Sequence, residues 1–75
     1  MIIDLHGLPH QTAIKLVEDK LTQASLKGSF DAEIITGKSV IMQRCIVNEV
    51  LDSWGFDYVC FDDNPGTIYV SYTLL

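Results

Sequence analysis

Apolar and polar positions change their period several times along the chain, and each change marks an element. Ile2-Ile3-Asp4-Leu5-His6-Gly7 alternates, with Ile3 and Leu5 on one face and Asp4 and His6 on the other. This predicts a short buried strand, and Gly7 frees the backbone to turn after it. Leu8-Pro9 opens a helix, because proline suits the first turn, where its missing N–H is no loss. Ala13, Ile14, Val17, Leu21 and Ala24 then recur at helical spacing, with Lys15, Glu18, Asp19 and Gln23 off that face. Lys27-Gly28 supplies the stop: a cation at the negative helix end, then a residue that turns left-handed freely.

Residues 31–36 predict a second strand. Val47, Val50, Leu51 and Trp54 fall at i, i+3, i+4 and i+7, the apolar stripe of a second helix that Gly55 caps. Residues 56–61 are rich in aromatic and β-branched types and predict a third strand. Asp62-Asp63-Asn64-Pro65-Gly66 reads as a turn. Residues 67–73 alternate Ile68, Val70 and Tyr72 against Tyr69, Ser71 and Thr73, a half-exposed fourth strand.

The order is βαβαββ in a single domain over residues 1–75, an α/β chain of the α+β kind. Its first two strands should be parallel with a right-handed crossover, and its last two an antiparallel hairpin. That arrangement puts His6 and Thr36 at one edge of the sheet, beyond the carboxyl ends of the strands, where open α/β sheets bind ligands. A chain of 75 residues buries only about 60% of its unfolded surface, so the core is marginal. It is either a complete minimal protein or a domain of a longer one. No apolar run reaches the roughly 18 residues of a membrane span, and no basic-then-apolar leader opens the chain. Cys45 and Cys60 fit no metal or redox spacing and read as buried, reduced thiols of a cytoplasmic protein.

Charge changes the picture. Residues 1–44 hold five acids and five bases, whereas residues 45–75 hold five acids and no base, so the whole net charge of −5 arises in the second part. This argues against strong non-specific nucleic-acid binding, which needs clustered Lys and Arg. It leaves room for a local basic site in the first part.

The candidate chemistry lies at the two strand ends. Residues two apart on a strand are roughly 6.6 Å apart, so the Asp4 carboxylate is expected to reach the His6 imidazole and orient it as a general base or acid. The plain alternative is a structural pair. Gly37-Lys38-Ser39 before a helix suggests a nucleotide-binding P-loop, but that motif needs a glycine where Ala32 stands. The weaker reading is an anion site: glycine-loop N–H groups at a helix start, with Lys38 and Arg44 adding charge. Against it, Ser39 simply caps the helix and Lys38 is solvated. With His10 counted, only two or three metal ligands are in view, and His10 fits a surface position in the first helical turn. Val40 and Ile41 either pack under the second helix or form a partner-binding edge.

Placed together, these pieces resemble the Smr (small MutS-related) domain family over nearly the whole chain. The family signatures L-D-x-H and T-G-x-G appear as Ile3-Asp4-Leu5-His6 and Thr36-Gly37-Lys38-Ser39, with Ser39 in place of the last glycine. Arg44, Val47, Val50 and Leu51 match the family's second helix, and Pro65-Gly66-Thr67-Ile68-Tyr69-Val70 its closing hairpin. The resemblance implies a two-layer sandwich, a four-stranded mixed sheet with two helices on one face. It also implies nucleic-acid binding and, in several members, endonuclease activity: some nick DNA, others cut RNA, including messenger RNA on stalled ribosomes. Asp4 and His6 would then be catalytic, and Thr36, Gly37, Lys38, Ser39 and Arg44 would hold phosphate.

Two expectations follow. The first is an endonuclease acting by phosphodiester hydrolysis or transesterification, with Mg2+ left open as an aid and no resident metal called for. The second is a non-catalytic module that binds nucleic acid or a protein partner, which the acidic second part favours. The face of the sheet away from the helices is either solvated or joins two copies.

Overall fold

The computed structural model describes residues 1–61, 63 and 65–74. Its elements are β1 (Ile2–Asp4), α1 (His10–Lys27), β2 (Phe30–Ile35), α2 (Val40–Ile46), β3 (Asp57–Cys60) and β4 (Thr67–Tyr72). α2 runs without a break into a π-helical stretch (Val47–Leu51) and a last α-helical turn (Asp52–Trp54). Ile46, Val47, Leu51 and Asp52 at the junctions all keep right-handed helical angles. Of the turn expected before β4, Asp63, Pro65 and Gly66 lie in turn conformation, and Asp62 and Asn64 fall outside the described residues.

The four strands form one mixed sheet in the order β1-β2-β4-β3. β1 runs parallel to β2, with Ile3 opposite Ile34. β2 and β3 both pair antiparallel with β4. The βαβ unit and the closing hairpin are therefore present, and the hairpin enters the sheet with β4 inside. Burial explains that order: β4 buries Thr67, Ile68 and Val70, while every residue of β3 is exposed. The strand with more to lose from water takes the position with two neighbours.

Both helices cover one face of the sheet. Ile3, Leu5, Ala32, Ile34, Ile68 and Val70 point up from the strands to meet Ala13, Val17 and Leu21 of α1. Met42 and Ile46 of α2, with Val50 and Leu51 beyond it, complete this core. The far end of the sheet is closed by aromatic rings. Phe30 lies 5.8 Å from Phe56 and 5.5 Å from Tyr72, and Phe56 lies 5.7 Å from Tyr72.

Several local expectations are corrected. Trp54, read as part of the apolar stripe, is 55% exposed. Gly55 is left-handed (φ 74°) and turns the chain so that the Phe56 N–H bonds the Leu51 carbonyl at 2.9 Å. Phe56, and not the tryptophan, is buried there, with its ring against Phe30 and Tyr72. Val40 and Ile41 do not pack under the helix; both are exposed. Cys45 is half-buried and Cys60 exposed, and both are free thiols. No helix among the described residues is long and apolar enough to cross a membrane.

Candidate functional site

Three loops meet at the edge of the sheet where β1 and β2 end. The first is the turn out of β1, which leaves the sheet earlier than the alternation suggests. The Leu5 N–H makes the last ladder bond, to the Ile35 carbonyl at 2.8 Å, and the Leu5 carbonyl then accepts from the Leu8 N–H at 3.0 Å. Residues 5–8 thus close a four-residue turn. Its third position is Gly7 at φ 81°, the value a type II turn requires and one that a side chain disfavours.

Asp4 shapes that turn. Its Oδ1 accepts from the His6 backbone N–H at 3.0 Å, an aspartate bonding the main chain two residues on. The expected contact from this carboxylate to the imidazole is replaced by a bond to the amide, because the strand ends before His6 and the two side chains no longer share a pleat. Asp4 therefore positions His6 through the backbone. Both residues are exposed.

The second loop leaves β2 through Thr36 and Gly37, and it meets the first. Gly37 adopts φ 67°, and a Cβ placed there would stand 3.2 Å from Cδ2 of the His6 ring. The imidazole thus rests against a bare stretch of backbone. Any side chain at Gly37 would press on it in addition to the cost of a left-handed angle, about 1–2 kcal/mol. The third loop is the turn before β4. A Cβ on Gly66 would lie 3.2 Å from the Gly37 carbonyl oxygen, so a side chain here would push the two main chains apart by a few tenths of an ångström.

Hydrogen bonds lock the second loop to the third. The Thr36 N–H donates to the Gly66 carbonyl at 2.8 Å. The Thr36 side chain is almost fully buried (4% exposed), and its hydroxyl reaches the Gly37 carbonyl at 3.0 Å and the Gly66 carbonyl at 3.2 Å. Gln43 of α2 completes the set: its Nε2 donates to Thr36 Oγ1 at 3.0 Å and to the Pro65 carbonyl. Every buried side-chain polar atom among the described residues has a partner, so this seam is satisfied. Each such bond contributes about 1 kcal/mol net, but leaving one buried end unpaired costs about 1–3 kcal/mol.

The remaining site residues divide. Ser39 is the N-cap of α2, its Oγ accepting from the Met42 N–H at 3.1 Å. Lys38 stands exposed between that cap and Gly37. Arg44 is exposed and lines a shallow cleft of about 270 Å³ with Val40, Gln43, Val47, Asn48 and Cys60. His10 is exposed at the first residue of α1. No group of three or more His, Cys, Asp or Glu among the described residues comes together in a way that could hold a metal.

Sequence reading passed over Gln43, Pro65 and Gly66 as parts of this site. A glutamine within a helix looks like any solvated residue, and nothing local marks its long-range bonds. Gly66 was read only as part of a turn, and its close approach to Gly37 is a long-range contact that no local pattern marks.

The result is an exposed imidazole beside a glycine backbone, a lysine next to it and a capped helix start behind. Such a set can hold an anion and exchange a proton with it. Comparison of the chain with protein-family models, with curated proteins and with solved structures gives no match.

Proposed function

We propose that this chain is an Smr-like domain that binds nucleic acid and cuts its phosphodiester backbone, nicking DNA or cleaving RNA. The supporting observation is the seat of the His6 ring against Gly37, two residues 31 positions apart in sequence. In this reading the Gly37–Ser39 main chain and Lys38 hold the scissile phosphate, and Arg44 contacts a neighbouring one. His6 takes the proton from the attacking water or hydroxyl, or delivers one to the leaving oxygen. The bond from phosphorus to the leaving oxygen breaks as the bond to the attacking oxygen forms, and the loop donors stabilise the added negative charge. Asp4 acts by setting the turn that presents His6.

A second reading, a binding module without catalysis, draws support from the same hydrogen bond. With Asp4 on the amide, no carboxylate among the described residues steadies the imidazole, and the net charge of −5 weakens attraction to nucleic acid. Its partner would be nucleic acid, a protein or a ribosome. Salt separates these: affinity that rests on phosphate contacts falls steeply as salt is added, whereas a protein contact responds little.

The test is cleavage of single-stranded RNA and DNA, with and without Mg2+, by the wild type and by His6→Ala purified in parallel. A positioned acid–base group contributes about 10²–10⁴-fold, so the variant is expected to lose at least about 100-fold. Equal cutting by both proteins would remove His6 from the chemistry. No cutting by either, with binding intact, would leave the module reading in its place.

A further inference from the structure

The face of the sheet away from the helices has a composition of its own. The strand register puts Ile2, Glu33, Tyr69 and Val59 in one row across all four strands. On one side of it runs the row Asp31, Ser71 and Asp57, and on the other Asp4, Ile35 and Thr67. Large apolar side chains stand in the open here: Ile2 is 68% exposed, Val59 50% and Phe61 51%. The Phe61 ring packs edge-on against Tyr69 at 5.4 Å. A concavity of about 530 Å³ opens among these residues.

Its side-chain charges are of one sign. Asp4, Asp31, Glu33 and Asp57 lie on this face, whereas the chain's Lys and Arg residues sit elsewhere: Lys15, Lys20 and Lys27 on α1, Lys38 in the loop and Arg44 on α2. The Met1 amino group donates to the Asp31 carbonyl at 3.2 Å, and Met1 lines the concavity.

These properties select an occupant. A contiguous apolar patch with charged residues around it marks an interaction surface. Nucleic acid is repelled by four carboxylates. A second copy docked through the same face about a two-fold axis would set Asp31, Glu33 and Asp57 against the partner's acids. What fits is a polypeptide that is apolar along one stripe and basic along its flanks. Four strands span roughly 15–20 Å, room for one helix of about 10 Å diameter.

We propose that this face docks a basic amphipathic helix of a partner protein, which forms a third layer against the sheet. The apolar stripe covers Ile2, Tyr69, Val59 and Phe61, and its Lys and Arg reach Asp31, Glu33 and Asp57. The proposal is independent of whether the loops at the ends of β1 and β2 cut nucleic acid.

The probe is a synthetic helix of leucine and lysine about 18 residues long, or ~27 Å. It is titrated into the isotope-labelled protein alongside a peptide of the same charge with serine for leucine. Amide shifts are expected on all four strands, with the serine peptide binding at least about tenfold more weakly. The charge-reversed variant Asp31→Lys/Glu33→Lys, confirmed folded by circular dichroism, is expected to reject the lysine helix and accept a leucine–glutamate one. Glu49→Lys/Asp52→Lys, on the helix layer, is expected to leave binding nearly unchanged. Four results would each overturn the proposal: shifts confined to the helix layer, equal binding of both cationic peptides, equal loss in the two double variants, or no binding at all.

Discussion

The two ends of the sheet are held by different physics. At one end Phe30, Phe56 and Tyr72 pack ring against ring in edge-on and stacked geometry, a contact that draws its energy from apolar area and leaves no polar group to satisfy. At the other, Thr36, Gln43 and the Pro65–Gly66 backbone are joined by hydrogen bonds, and Gly37 and Gly66 let main chains touch. The aromatic end hides its chemistry from water. The polar end gives up apolar burial, keeps its backbone fixed and leaves the His6 ring exposed. The contrast assigns stability chiefly to the first end and presentation of reactive groups to the second.

The largest effect on folding is expected at the aromatic end. Phe56→Ala removes a buried ring and should cost about 3–5 kcal/mol in a urea titration, a large share of what a domain of this size has. The proposed cleavage, per folded molecule, should stay near wild type. A loss of cleavage beyond the folded fraction would mean that the two ends are coupled.

At the polar end the balance reverses. Gly37→Ala forces a side chain into a left-handed angle, at about 1–2 kcal/mol, and pushes against the His6 ring at the same time. Cleavage and nucleic-acid binding should therefore fall further than this stability change explains. Thermal melts and activity on one preparation separate the two quantities.

The smallest and sharpest effect concerns Asp4. Asparagine keeps an oxygen that can accept from the His6 N–H, so Asp4→Asn should hold the turn and stay within about threefold of wild-type cleavage, well under the tenfold that ~1.4 kcal/mol would give. Asp4→Ala loses the acceptor, and with it about 1 kcal/mol and the presentation of His6. If the carboxylate instead acts on the ring through its charge, the two variants will be equally damaged.

Much of the fold could be read from periodicity. The stripe from Ala13 to Leu21 and the alternation of Ile68 and Val70 report burial directly, and burial is what sets those elements. Placement of β4 between β2 and β3 could not be read, because it depends on which strand gains most from two neighbours. Trp54 misled because helical spacing does not register that Gly55 turns the chain and that Phe56, not the tryptophan, is buried after it. At the site, the meeting of His6 and Gly37 was legible from the parallel βαβ arrangement. The Asp4 bond was not: strict alternation carried the strand two residues too far, past the point where the carboxylate caps its own turn. Gln43 was silent, since its bonds reach back to Thr36 and forward to Pro65 across folds of the chain that no local pattern encodes.

The central claim is that His6 and the loop after β2 serve one phosphate-sized spot. Nuclear magnetic resonance with a short single-stranded oligonucleotide reads this directly, by following the His6 ring and the Gly7, Gly37, Lys38 and Ser39 amides through one titration. The account predicts that these signals move together with a single dissociation constant that weakens as salt is raised. Saturation with the oligonucleotide while these signals stay still and others shift would contradict it.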